Sequence, residues 1–145
     1  MATHGLPSWP YTELDAEDLP RPEGLLLEGM RRWNAAAGIG RPALSSLALP
    51  FIAENAVEAA LPLDRLIRCG QGRFRLAPVT ATQTTSDEAA LLLALALAQR
   101  APRREALAAL LRIVSAAEAQ SGLGHALRIG GVLRRAGLLM RNPLR

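Results

Sequence analysis

Along most of this chain apolar residues recur every three or four positions, the spacing of one helical face, and proline or glycine closes nearly every such run. Leu26, Met30, Trp33 and Ala37 predict a helix over 23–37, with Pro22 at its start and Gly38, Gly40 and Pro42 as its stop. A second helix opens at Pro42 with Leu44, Leu47, Phe51 and Ile52 on its apolar side. Pro50 lacks an N–H and its ring meets the preceding turn, so a kink or break is expected there, with the helix continuing to residue 60. Pro62 restarts a short helix that ends at Cys69 before Gly70.

The clearest local signal is Thr85-Ser86-Asp87-Glu88. A threonine three positions before a glutamate can cap the helix while the glutamate reaches back, and both acids suit the positive end of the helix dipole. The helix it opens, 87–100, is apolar on every side through Leu91, Leu92, Leu93, Leu95 and Leu97, and such a helix must be surrounded by others. Pro102 begins a further helix with Leu107, Leu110, Leu111, Val114 and Ala117 in a stripe, expected to reach residue 121 and stop at Gly122. A last helix is expected over 123–136, with Ile129, Val132, Leu133 and Ala136 buried and Gly137 as its stop; Gly130 and Gly131 weaken it.

Two stretches break the helical pattern. Residues 1–22 hold four prolines and four acids against one arginine, which predicts an extended arm; Trp9 and Tyr11 on it are expected to dock on the domain or on a second copy. Residues 70–85 hold an alternation at Arg73, Phe74, Arg75 and Leu76 and then four threonines, which fits a short β-hairpin or an irregular loop equally. The fold expected is therefore all-α: a compact bundle of five to six helices around the central apolar helix at 87–100. The proline-rich acidic arm over 1–22 precedes a single helical domain over 23–145, with one irregular or hairpin insert at 70–85.

Composition narrows the class further. Ala and Leu each occur 27 times in 145 residues, half the chain is hydrophobic, and aromatics are 3%. That excludes a disordered chain and disfavours a β-sandwich or barrel, which draws on β-branched and aromatic residues. No basic n-region leads into an apolar stretch at the start, and the longest apolar run, 89–98, is about half of the roughly 20 residues a bilayer span needs. A protein of the reducing cytoplasm, away from membranes, is the expectation. Cys69 is the only cysteine and reads as a packed thiol rather than a reactive one, even with Arg68 beside it.

All 17 basic residues are arginine, a bias a GC-rich coding sequence would also produce, so their placement carries more than their number. Residues 1–30 hold six acids and one arginine, whereas 119–145 hold five arginines and no acid. The net +4 is thus a remainder between a negative beginning and a more basic rest. On the last helix Arg128 and Arg135 share a face, with Gly131 between them and Arg134 alongside. That suits a solvated basic face, a docking place for the acidic arm, or an approach path for a phosphate.

Catalytic patterns are scarce. His4 and His125 belong to no metal-ligand spacing, and Glu54 and Glu58 share a helix face without a histidine near them. Ser45 and Ser46 lack the glycines of a nucleophile elbow, and Gly-Gln-Gly at 70–72 is too short for a phosphate loop. No cofactor and no metal site is expected. The function expected is a non-enzymatic protein–protein interaction or self-associating module, a homodimer or other homo-oligomer, open to a separate protein partner. The alternative is anionic-ligand or nucleic-acid binding through Arg128, Arg134 and Arg135, with nucleic acid disfavoured because the last helix is half apolar and aromatics are few. A second alternative, a small-molecule enzyme without a recognisable motif, needs a pocket that gathers Cys69, His125 or the Glu54/Glu58 pair.

Overall fold

A computed structural model describes residues 10–12, 14–70, 73–100 and 102–143. Among them six α-helices run in order: α1 (Arg21–Gly38), α2 (Ala43–Ile52), α3 (Ala60–Cys69), α4 (Ser86–Arg100), α5 (Arg103–Leu110) and α6 (Ala116–Arg135). Single 3-10 turns at Ala16–Asp18 and Val57–Ala59 precede α1 and α3. The fold is all-helical and compact. No helix among the described residues is long and apolar enough to cross a membrane.

The capping signal works as its residues dictate: the Thr85 N–H donates to Glu88 Oε1 at 2.8 Å and the Glu88 N–H to Thr85 Oγ1 at 3.1 Å. The helix it starts, α4, buries every residue from Leu91 to Gln99. Its neighbours come close because small residues line the seam. A Cβ added to Gly130 of α6 would lie 3.1 Å from the Gln99 Cα of α4, and one added to Gly122 would already touch Leu66 and Leu110. Gly122 and Gly130 therefore lie inside α6 as packing positions, and the expected stop at Gly122 is corrected. The break comes earlier. After Leu110 the backbone bonds tighten to three-residue turns, with the N–H of Ile113 on the Leu110 carbonyl and that of Arg112 on the Ala109 carbonyl. Ile113 and Val114 are β-branched and hold a helix poorly, and Ser115 takes the extended conformation from which α6 starts.

Pro50 sits in the last turn of α2, so the helix ends at Ile52 and does not continue to residue 60. Asn55 turns the chain with φ at +58°, a conformation asparagine tolerates, and the 3-10 turn then feeds α3.

The hairpin at 70–85 is absent: among the described residues the only bridge pairs Asp15 with Gln83. The reason lies in how the backbone is satisfied. The Arg75 N–H donates to Asp87 Oδ2, the Ala77 N–H to Glu88 Oε2, Thr85 Oγ1 to the Arg75 carbonyl and Asn34 Nδ2 to the Leu76 carbonyl. Side chains of α1 and α4 supply what a partner strand would have supplied.

Arg31 of α1 is buried, although its neighbour Arg32 is not. Its guanidinium meets both Glu88 oxygens at 2.9 and 3.0 Å and the carbonyls of Ala81 and Gln83 at 2.7 and 2.9 Å. One arginine thus ties α1 to α4 and to the irregular segment between them.

Candidate functional site

Tyr11 is fully buried. Its hydroxyl donates to Glu23 Oε2 at 2.9 Å, and Thr84 Oγ1 donates to its carbonyl at 2.6 Å. Burial, reinforced by the Glu23 charge, pushes the phenol well above its ordinary range, so Tyr11 is a structural donor and no acid–base group. The same Glu23 oxygen takes the Arg141 N–H at 2.8 Å, and Glu23 Oε1 has no hydrogen-bond partner among the described residues. Trp9 and His4 lie outside the described residues.

Of the three C-terminal arginines, two meet and one leaves. Arg134 turns back onto α4 and donates to the Gln99 carbonyl, where it supports a second polar knot. In that knot Gln99 Nε2 donates to the Gly130 and Leu138 carbonyls, and the Met140 N–H donates to Gln99 Oε1. Arg128 and Arg135 point the other way, into a groove between α6 and the Val57–Leu61 corner leading into α3. His125, Arg128, Val132 and Arg135 fall on one stripe of α6, spaced three, four and three, and Arg65 reaches the same groove from α3. Sequence spacing pairs Arg128 with Arg135; nothing in it joins Arg65 to them, because that depends on α3 packing against α6.

The groove encloses about 350 Å³. Val57, Leu61, Pro62 and Val132 give it apolar walls, and Glu58 is the one carboxylate among its lining residues. Arg65, Arg128 and Arg135 form no ion pair among the described residues, while Arg21, Arg31, Arg32, Arg68 and Arg104 each do. The Arg135 guanidinium lies back over Gly131, so close that an added Cβ there would be 3.6 Å from its Nη1. Burial lowers the His125 pKa, and the charges of Arg65 and Arg128 lower it further, against the smaller opposing effect of Glu118. At neutral pH the imidazole is therefore held in its uncharged form beside three cations.

Of the residues the enzyme reading needs, Glu58 lines the groove together with His125, whereas Cys69 is not among its lining residues. Glu54 pairs with Arg21, while Glu54 and Glu58 line a neighbouring cavity of about 480 Å³ with Asn55 and Arg135. Cys69 is buried and faces Glu118 instead; burial first, then the Glu118 charge and hydrogen bond, push its thiol upward, away from the reactive thiolate. No group of three or more metal-ligating side chains occurs among the described residues.

One further surface is apolar. α2 buries Ala43, Leu47 and Phe51 on one side, yet on the other it exposes Leu44, Leu49 and Ile52, the last two to 55% and 59%. Its ten residues include no charged side chain. Ile39, at the corner before it, is also exposed. Comparison of the chain with protein-family models, with curated proteins and with solved structures finds no match in any of the three.

Proposed function

We propose that this protein is a non-enzymatic helical interaction module that associates with a second copy of itself through the outward face of α2. The observation that carries the reading is that α2 turns Leu44, Leu49 and Ile52 outward, with Ser45 the polar side chain among them and no charge. An uncharged helix that exposes three large apolar side chains marks a contact surface, and within one copy only the side carrying Leu47 and Phe51 is covered. A second copy fits this face for two reasons. An apolar stripe is self-complementary across a two-fold axis, and the absence of charge on α2 lets two such faces meet without burying an ion. The buried titratable groups do not argue for catalysis, since Glu88 is engaged by Arg31 and Tyr11 by Glu23 inside the fold.

Sedimentation velocity over a wide concentration range tests the reading. The unaltered protein is expected to move as a dimer, and Leu49→Asp with Ile52→Asp as a monomer of unchanged circular dichroism, because both side chains are exposed. A protein that stays monomeric at every concentration, or a double variant that still dimerises, refutes the reading.

A further inference from the structure

Three cations without partners converge on one concave surface, which is costly in mutual repulsion and is ordinarily relieved by a counter-charge. Arg65 comes from α3, while Arg128 and Arg135 lie two turns apart on the same stripe of α6, with Val132 on the turn between. With Glu58 as the one carboxylate of the lining and His125 neutral, the formal balance of the groove is three positive charges less one. That matches a phosphate monoester, which carries about −1.5 to −2 at neutral pH. Guanidinium groups arriving from two helices can address several oxygens of a tetrahedral anion, whereas a carboxylate is filled by a single bidentate arginine. The walls of Val57, Leu61 and Val132 suit an apolar substituent, and about 350 Å³ is at the small end of ligand pockets, which run from about 300 to 1,000 Å³.

We propose that the groove between α6 and the Val57–Leu61 corner of α3 binds a small phosphate monoester, its phosphate among Arg65, Arg128 and Arg135 and its apolar group against Val57, Leu61 and Val132. This site is separate from the α2 face and stands whether or not the protein dimerises. It enlarges the pairing of Arg128 and Arg135 legible in the sequence, replaces Arg134 with Arg65, and adds an imidazole at its edge. His125 makes no hydrogen bond or ion pair among the described residues, so a bound anion would add to the small effect of Glu118 in raising its proton affinity.

Phenyl phosphate is the probe, and the His125 imidazole resonance is the reporter, assigned by its loss in His125→Gln. At low salt and neutral pH the signal is expected to shift saturably, and its titration to move to higher pH as the anion binds. Arg128→Gln, Arg135→Gln and Arg65→Gln should each weaken binding by about tenfold or more, the worth of one charge-assisted hydrogen bond. Arg104→Gln, on α5 and outside the groove lining, should leave it unchanged. All four arginines are exposed, and thermal melts monitored by circular dichroism verify that each variant folds. Inorganic phosphate should bind more weakly than phenyl phosphate, because it leaves the apolar walls unused. A His125 signal that phenyl phosphate does not move saturably overturns the proposal, as does binding that survives Arg128→Gln with Arg135→Gln. A short DNA duplex that displaces phenyl phosphate from the groove, with a steep loss on added salt, overturns it in favour of a nucleic-acid surface.

Discussion

Replacing Arg31 with methionine tests the central polar contact of the fold. The side chain is buried, and Glu88 facing it is wholly so. The substitution removes two charge-assisted bonds to Glu88 and two bonds to the carbonyls of Ala81 and Gln83. Those carbonyls lie on a partly exposed segment and can turn to water, so most of the cost falls on Glu88. Its carboxylate keeps only the N–H groups of Thr85 and Ala77. Stripping one partner from a buried ion pair costs about 3–5 kcal/mol, a large share of the 5–15 kcal/mol by which domains are stable. With an unfolding entropy near 2.1 cal/mol/K per residue, the melting temperature should fall by about 10–16 °C.

The double variant Arg31→Met with Glu88→Gln discards the charge while Gln keeps an acceptor, so it should lose about 1–2 kcal/mol less than Arg31→Met alone. Burial pushes the Glu88 carboxyl up, but the Arg31 bond and the N–H groups of Thr85 and Ala77 outweigh it and hold the pKa below the ordinary value. A depressed carboxyl contributes stability that is present above the unfolded value, near 4.3, and is lost as pH falls through the folded one. Without Arg31, burial faces weaker opposition and the folded pKa rises. The deficit of Arg31→Met relative to the unaltered protein should therefore shrink as pH falls from 7 towards 4. Urea unfolding followed by circular dichroism at both pH values measures this. A loss under about 1 kcal/mol would refute the reasoning, as would a deficit that does not change with pH.

Two other outcomes follow from the packing. Gly130→Ala sets a Cβ against the buried α4 backbone at Gln99 and should destabilise by about 1–3 kcal/mol, whereas Gly124→Ala meets nothing within 4 Å and should stabilise by roughly 0.5–1 kcal/mol; equal effects in thermal melts would contradict the account of the α4–α6 seam. Cys69 should react with a thiol-specific disulfide reagent far more slowly than a model thiol at mildly alkaline pH, and at full rate in denaturant; rapid reaction of the folded protein would show that its burial is misjudged.

Helix content was legible because apolar spacing and punctuation agreed, and the Thr85–Glu88 box could be read from four residues alone. Arg31 was not legible. It looks like Arg32 in the sequence, and only the path of residues 81–88, set by long-range contacts, decides which of the two turns inward. The alternation at Arg73–Leu76 survives as alternating exposure, but strand formation needs a partner ladder, and side chains had already taken the backbone groups. Gly122 was misleading for the reason glycine often is: the absent side chain serves a neighbouring helix as well as it would serve a turn. The basic groove was half visible. Seven-residue spacing placed Arg128 with Arg135, but Arg134, one position away, faces α4 instead, and Arg65 lies in a different part of the chain.

The oxygen of Glu23 that accepts from Tyr11 and from the Arg141 N–H has a bearing on how the molecule is made. The second of these bonds closes across 118 positions. Closing a flexible loop of that length costs about 4 kcal/mol of chain entropy before any constant, so it forms only after intervening helices have drawn the segments together. During synthesis α1 can form early, but Glu23 Oε2 lacks the second of its two donors until residue 141 has emerged. A bond between groups so far apart in the chain adds to stability while contributing nothing to early folding, so its loss should speed unfolding and leave the folding rate unchanged.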